Sequence, residues 1–211
     1  MEPENSLAAF RRAVDLGADG VELDVHATSD GALVVVHDGT FAGQALSALT
    51  LDRLRAHRLA NGEPIPTLAQ ALDTIGPHTD VFVEVKTLAP HLDAALLDVL
   101  DRGPAPPRCR VHSFDHRVVR RLCERRPALA GGILSVSYPV NPVAQLTDAR
   151  AVDLWQEQAL VDQSLVAAVH AAGGRVHAWT VDQPDRMRLL RDLGVDGICT
   201  NRPDVGVATL R

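Results

Sequence analysis

Helical segments alternate with short β-branched runs along all 211 residues, which predicts an α/β fold. Three observations narrow it to a TIM-type (β/α)8 barrel of parallel strands without its first strand. Seven β-branched runs have intervening stretches long enough for crossover helices, one fewer than a closed barrel requires. An eighth run follows the first after only Ala27 to Ala32, short of the roughly dozen residues that a parallel neighbour needs, so these two runs form an antiparallel arm. No glycine-rich phosphate turn follows a first strand, which leaves an open doubly wound sheet as the weaker alternative.

The chain opens directly into a helix, from Asn5 or Ser6, with apolar residues at Leu7, Phe10 and Val14 and a stop before Gly17. The run Val21 to Val25 is the first strand, and Leu33 to His37 is the returning arm across the turn containing Ser29, Asp30 and Gly31. The remaining strand runs are Val81 to Lys86, Arg110 to Ser113, Gly132 to Val136, Val152 to Gln156, Val176 to Val181 and Gly197 to Thr200. Between them, Asp115 caps a helix carrying Val118, Val119, Leu122 and Cys123, and Asp162 caps one carrying Leu165, Val166 and Val169. A last helix is predicted from near Pro184 to Gly194. Gly103 to Pro107 reads as a surface loop, and residues 1–211 as a single domain.

Composition excludes several function classes. The chain is 46% hydrophobic and 23% charged, enough for one full core, and no run approaches the roughly 20 apolar residues of a membrane span. The opening MEPENSLAAF lacks the basic and apolar regions of a secretory leader, so a cytoplasmic location is expected. A net charge of -6 and nine scattered histidines disfavour nucleic acid. Cys109, Cys123 and Cys199 form no C-x-x-C pair and read as small hydrophobes.

Two strands carry chemistry. In Val21-Glu22-Leu23-Asp24-Val25 the carboxylates share one face and the aliphatics the other, so Glu22 and Asp24 point into the barrel while the aliphatics meet the helices. In Val83-Glu84-Val85-Lys86 the parity repeats. Three carboxylates converging at one mouth make a hard oxygen site suited to Mg²⁺ or Ca²⁺. Lys86 adds a point charge for an anionic phosphate. The plainer readings are a solvated acidic face for the first strand and an internal ion pair for Glu84 and Lys86. His37 ends the arm, where an imidazole serves proton transfer near neutral pH, although a lone histidine at a strand end is more often structural.

Taken in order, these residues resemble the glycerophosphodiester phosphodiesterase family. The matching segments are Pro3-Glu4-Asn5-Ser6 with Leu7-Ala8-Ala9-Phe10, Gly17 to Val25, Asp30-Gly31, Val36-His37-Asp38, Ile65-Pro66-Thr67-Leu68, Glu84-Val85-Lys86, Ser113-Phe114, Trp179-Thr180-Val181 and Gly194 to Pro203. The resemblance implies a TIM-type barrel that hydrolyses glycerophosphodiesters to glycerol 3-phosphate and an alcohol. It further implies a divalent metal on Glu22, Asp24 and Glu84, acid/base work for His37, phosphate binding by Lys86 and a substrate-facing aromatic at Trp179, whose plainer role is core packing.

The family also carries a His-Arg-Gly segment on a first strand, and only Met1 and Glu2 precede Pro3 here. The strand count and the motif therefore agree on an N-terminally incomplete barrel lacking the partner of His37; His26, on the Asp24 face by strand parity, is a weak candidate to substitute in part. Two other readings stand beside the hydrolase: a catalytically silent barrel that binds metal or phosphodiester, and a sphingomyelinase D-like phosphodiester lyase.

Overall fold

The computed structural model describes residues 2–211, which fall into two units, the first running through Arg110 and the second from Val111 to Arg211.

The first unit begins with helix α1 (Leu7–Asp15), whose start is fixed by Ser6. The Ser6 hydroxyl oxygen accepts the Ala9 N–H at 3.1 Å and its own O–H donates to the Pro3 carbonyl at 2.7 Å. Gly17, at φ 82°, lets the chain reverse. Strand β1 (Gly20–Ala27) follows, then the antiparallel β2 (Leu33–Val35), with Val25 opposite Val35 and Ala27 opposite Leu33. The turn between them is closed by Thr28, whose hydroxyl donates to Asp30 Oδ1 at 2.6 Å, and by Gly31 at φ 79°.

A small hairpin of β3 (Thr40–Phe41) and β4 (Gln44–Ala45) comes next, reversing through Ala42 and Gly43, both at positive φ. Helix α2 (Leu51–Arg55) and helix α3 (Leu68–Ile75) lead to strand β5 (Asp80–Val85) and helix α4 (Asp93–Arg102). Thr67 and Gln70 start α3 with a reciprocal capping box. Val34, Leu46, Leu49, Leu54 and Ile65 form the core beneath the long segment after the arm.

β5 lies parallel to β1, Glu22 opposite Phe82 and Asp24 opposite Glu84. The aliphatic faces are buried as the parity predicts: Val21, Leu23, Val25, Val81, Val83 and Val85 are each 5% exposed or less.

In the second unit, strands β6 (Cys109–Ser113, which crosses the division), β7 (Ala130–Ser135), β8 (Asp153–Glu157), β9 (Arg175–Trp179) and β10 (Gly197–Ile198) lie side by side in that order. Helices α5 (His116–Arg125), α6 (Pro142–Ala149), α7 (Gln163–Ala171) and α8 (Pro184–Leu193) connect them, and α9 (Pro203–Leu210) follows β10. Asp115 and Asp162 cap α5 and α7 as predicted, with Asp162 Oδ1 accepting the Leu165 N–H at 2.8 Å. Ile133, Leu154, Val176 and Ala178 on the strands pack with Leu165, Val169, Met187 and Leu190 on the helices.

Two expectations need correction. The helix ending at Gly194 is not the last, because α9 follows it. Strands β9 and β10 are shorter than their β-branched runs, but the chain stays paired beyond them: Cys199 N–H donates to the Ala178 carbonyl at 2.9 Å and Val181 N–H to the Cys199 carbonyl at 2.9 Å.

Candidate functional site

The first unit gathers Glu22, Asp24, His37, Glu84 and Lys86. The register that sets Asp24 opposite Glu84 puts two carboxylates side by side, and Lys86, two residues after Glu84, emerges from the same face. Its ammonium lies 3.0 Å from Asp24 Oδ1 and 2.8 Å from Glu84 Oε1. All three side chains are largely buried. Burial works against the Lys86 charge, but the Glu84 hydrogen bond and the Asp24 charge outweigh it and raise its pKa.

Acidic groups crowd around this pair. One ammonium faces Asp24 and Glu84, and Glu22 stands on the same strand face. Burial, and then the charge of Asp24, push the Glu22 carboxyl up to about 8. Burial raises Glu84 too, against the pull of Lys86. Three oxygen-bearing acids around the Lys86 ammonium are a donor set that fits a hard divalent cation, whose charge would relieve both shifts. The described residues contain no helix long and apolar enough to cross a membrane.

His37 follows β2 where the arm leaves its partner, with Val36 N–H donating to the Asp24 carbonyl at 3.0 Å. Its side chain is about half exposed. Nδ1 is 3.0 Å from Asp38 Oδ1, and that hydrogen bond raises the pKa of the imidazole above its ordinary value. His26 is buried beneath the same segment, with Nε2 3.1 Å from the His37 carbonyl oxygen, and burial lowers its pKa. One ring nitrogen of His26 is thus engaged in holding the backbone of His37.

Asn5 was legible in the sequence only as part of a motif. It is buried at φ 55°, its amide donating to Asp24 Oδ2 at 2.7 Å and accepting the Asp24 N–H at 3.1 Å. Nothing in the spacing reveals this bond across 19 residues, since it depends on a left-handed turn before α1.

Trp179 belongs to the second unit. It is half-buried at the end of β9, its ring set edge-on to Phe114 with centroids 5.6 Å apart. Sequence reasoning missed a stack in this unit: the Trp155 ring lies between His112, at 4.4 Å, and His177, at 4.7 Å. Gly132 makes room for it, as a Cβ there would stand 3.1 Å from both His112 and Trp155. Asp153 is buried below, with Arg175 Nε donating to its Oδ1 at 2.7 Å.

Carboxylates and an ammonium on the parallel strands β1 and β5, with a histidine just past the antiparallel arm, form a donor set suited to metal-assisted hydrolysis of a phosphoric diester. The model of the glycerophosphoryl diester phosphodiesterase family matches residues 2–205. The chain belongs to that family.

A protein of Mycobacterium tuberculosis named probable glycerophosphodiester phosphodiesterase 2 is 36% identical, covering 96% of this chain and 83% of its own. A glycerophosphodiester phosphodiesterase of Caldanaerobacter subterraneus is 32% identical, covering 99% and 93%. Among solved structures, a glycerophosphodiester phosphodiesterase from Parabacteroides distasonis matches with a TM-score of 0.86 at 27% identity, covering 95% of this chain and 87% of that one. A phosphodiesterase from Oleispira antarctica, solved with the product sn-glycerol-3-phosphate, shares the fold with a TM-score of 0.92 at 23% identity, covering 99% and 91%. The α/β fold class of TIM type predicted from the sequence is the fold of these relatives.

Proposed function

We propose that this chain hydrolyses glycerophosphodiesters to glycerol 3-phosphate and an alcohol, with Mg²⁺ or Ca²⁺ held by Glu22, Asp24 and Glu84. The observation that carries the reading is the β1–β5 register, which sets Asp24 beside Glu84 and both against Lys86. The names of the relatives support the substrate class.

A bound divalent cation supplies the positive charge that a phosphodiester anion needs before an oxygen nucleophile can approach it. The chain's own residues do the rest. Lys86 carries three N–H donors, so with two directed at Asp24 and Glu84 it keeps one for a phosphate oxygen. His37 moves the proton, its imidazole kept basic by Asp38 and open to solvent. Trp179 offers an aromatic face to the substrate. We read residues 1–211 as one catalytic domain, since the family model runs across both units.

The test is release of glycerol 3-phosphate from glycerophosphocholine or glycerophosphoethanolamine, with Mg²⁺, with Ca²⁺ and with chelator. Activity should need the cation and vanish in Asp24→Ala and Glu84→Ala, and His37→Ala should turn over about 10²- to 10⁴-fold more slowly. A cyclic phosphate product would make the chain a lyase. Metal binding with no turnover would make it a binding protein.

A further inference from the structure

We infer that Asn5 is a positioning residue for the cation site, a clamp that fixes the Asp24 carboxylate before any cation arrives. The inference rests on reading Asp24 as a metal ligand, and goes beyond it by assigning the residue that aims that ligand. In a β-strand the N–H and C=O of one residue leave on the same side. At Asp24 the carbonyl takes the Val36 N–H at 3.0 Å, the last bond toward the arm, and the N–H goes instead to Asn5 Oδ1 at 3.1 Å. The same amide donates through Nδ2 to Asp24 Oδ2 at 2.7 Å. An amide can serve both groups at once, because it pairs an acceptor with a donor in one plane; an ionised carboxylate has no donor, and a hydroxyl has one oxygen for the two places.

The Nδ2 bond holds the Asp24 side chain, and the Oδ1 bond ties the same amide to the Asp24 backbone. With Oδ2 held, Oδ1 faces Lys86 at 3.0 Å, so the carboxylate has one orientation rather than several. The clamp is itself anchored. Asn5 is buried and sits at φ 55°, a conformation that asparagine and glycine adopt at little cost. Ser6 next to it caps α1 and is tied back to Pro3, so the turn carrying the amide is part of a fixed helix start. Partners that orient a ligand typically contribute 10- to 100-fold in metal affinity.

The experiment is calorimetric titration of the 211-residue chain with Mg²⁺ and Ca²⁺, alongside melting curves in chelator, for wild type, Asn5→Gly, Asn5→Asp and Ser6→Ala. Glycine keeps the backbone conformation and deletes both bonds. Aspartate keeps the shape but sets a second carboxylate against Asp24. Ser6→Ala loosens the same helix start without touching Asp24. Asn5→Gly and Asn5→Asp should bind the cation about 10- to 100-fold more weakly at a temperature where every variant is folded. Ser6→Ala should melt lower and bind as wild type does. Wild-type affinity within twofold in Asn5→Gly would overturn the inference while leaving the metal reading intact, as would losses in Ser6→Ala that match those of the Asn5 variants. A wild-type chain that binds neither cation would sink the metal reading and this inference with it.

Discussion

Asp38 tunes the basicity of His37. Its carboxylate accepts from the imidazole at 3.0 Å and favours the protonated ring, so the His37 pKa lies above the ordinary value. Asp38→Asn removes that preference and lowers the pKa. Whichever limb of the pH–rate profile belongs to His37 should therefore move to lower pH, and an unmoved profile would separate Asp38 from the chemistry. Glu22 makes an opposite kind of prediction, about stability. Its folded pKa of about 8 stands above its ordinary 4.5, so its contribution is fully present below 4.5 and is lost as pH rises through 8. In chelator, Glu22→Gln, which does not titrate, should gain in melting temperature relative to wild type between about pH 5 and pH 8. A gap that stays constant across that range would mean that the Glu22 charge is already compensated. The carboxylates themselves were readable from strand parity, since a two-residue period is local. The role of Asn5 was not, because it rests on tertiary approach and on a backbone conformation that a sequence does not display.

At the scale of elements, the helix starts were the most legible features. A cap is one residue bonding to an N–H two or three positions on, so the information is contiguous, and Asp115 and Asp162 were found for that reason. Asp162→Ala should cost about 1 kcal/mol, lowering the melting temperature by about 2 to 4 °C for a chain of this size. It also releases the Tyr138 hydroxyl, which donates to Asp162 Oδ1 at 3.0 Å. Metal affinity should not change, and thermal scans alongside titration check both statements. The β3–β4 hairpin was illegible because each of its strands has two residues, too few to show alternation. Helix α9 was illegible for a different reason. Its sequence, PDVGVATL, is apolar on most sides after its first turn and contains a glycine, so no stripe marks it as a helix.

For the molecule as a whole, the fold class followed from the order of elements, while the pairing that makes the site followed from the β1–β5 register, which no run of residues announces. One consequence of that register concerns where diversity can arise. Every group proposed to hold the cation, the phosphate or the proton lies between Asn5 and Lys86, whereas the aromatic proposed to meet the substrate is Trp179. On that proposal reaction and preference belong to separate stretches of the gene, and exchanging one stretch tests it. A chimera joining residues 1–110 of this chain to the corresponding later portion of a relative should keep this chain's cation affinity and take on the relative's preference among alcohols. Parallel titration and headgroup profiling of both parents and the chimera would measure it, and a cation affinity that follows the later portion instead would show the two to be inseparable.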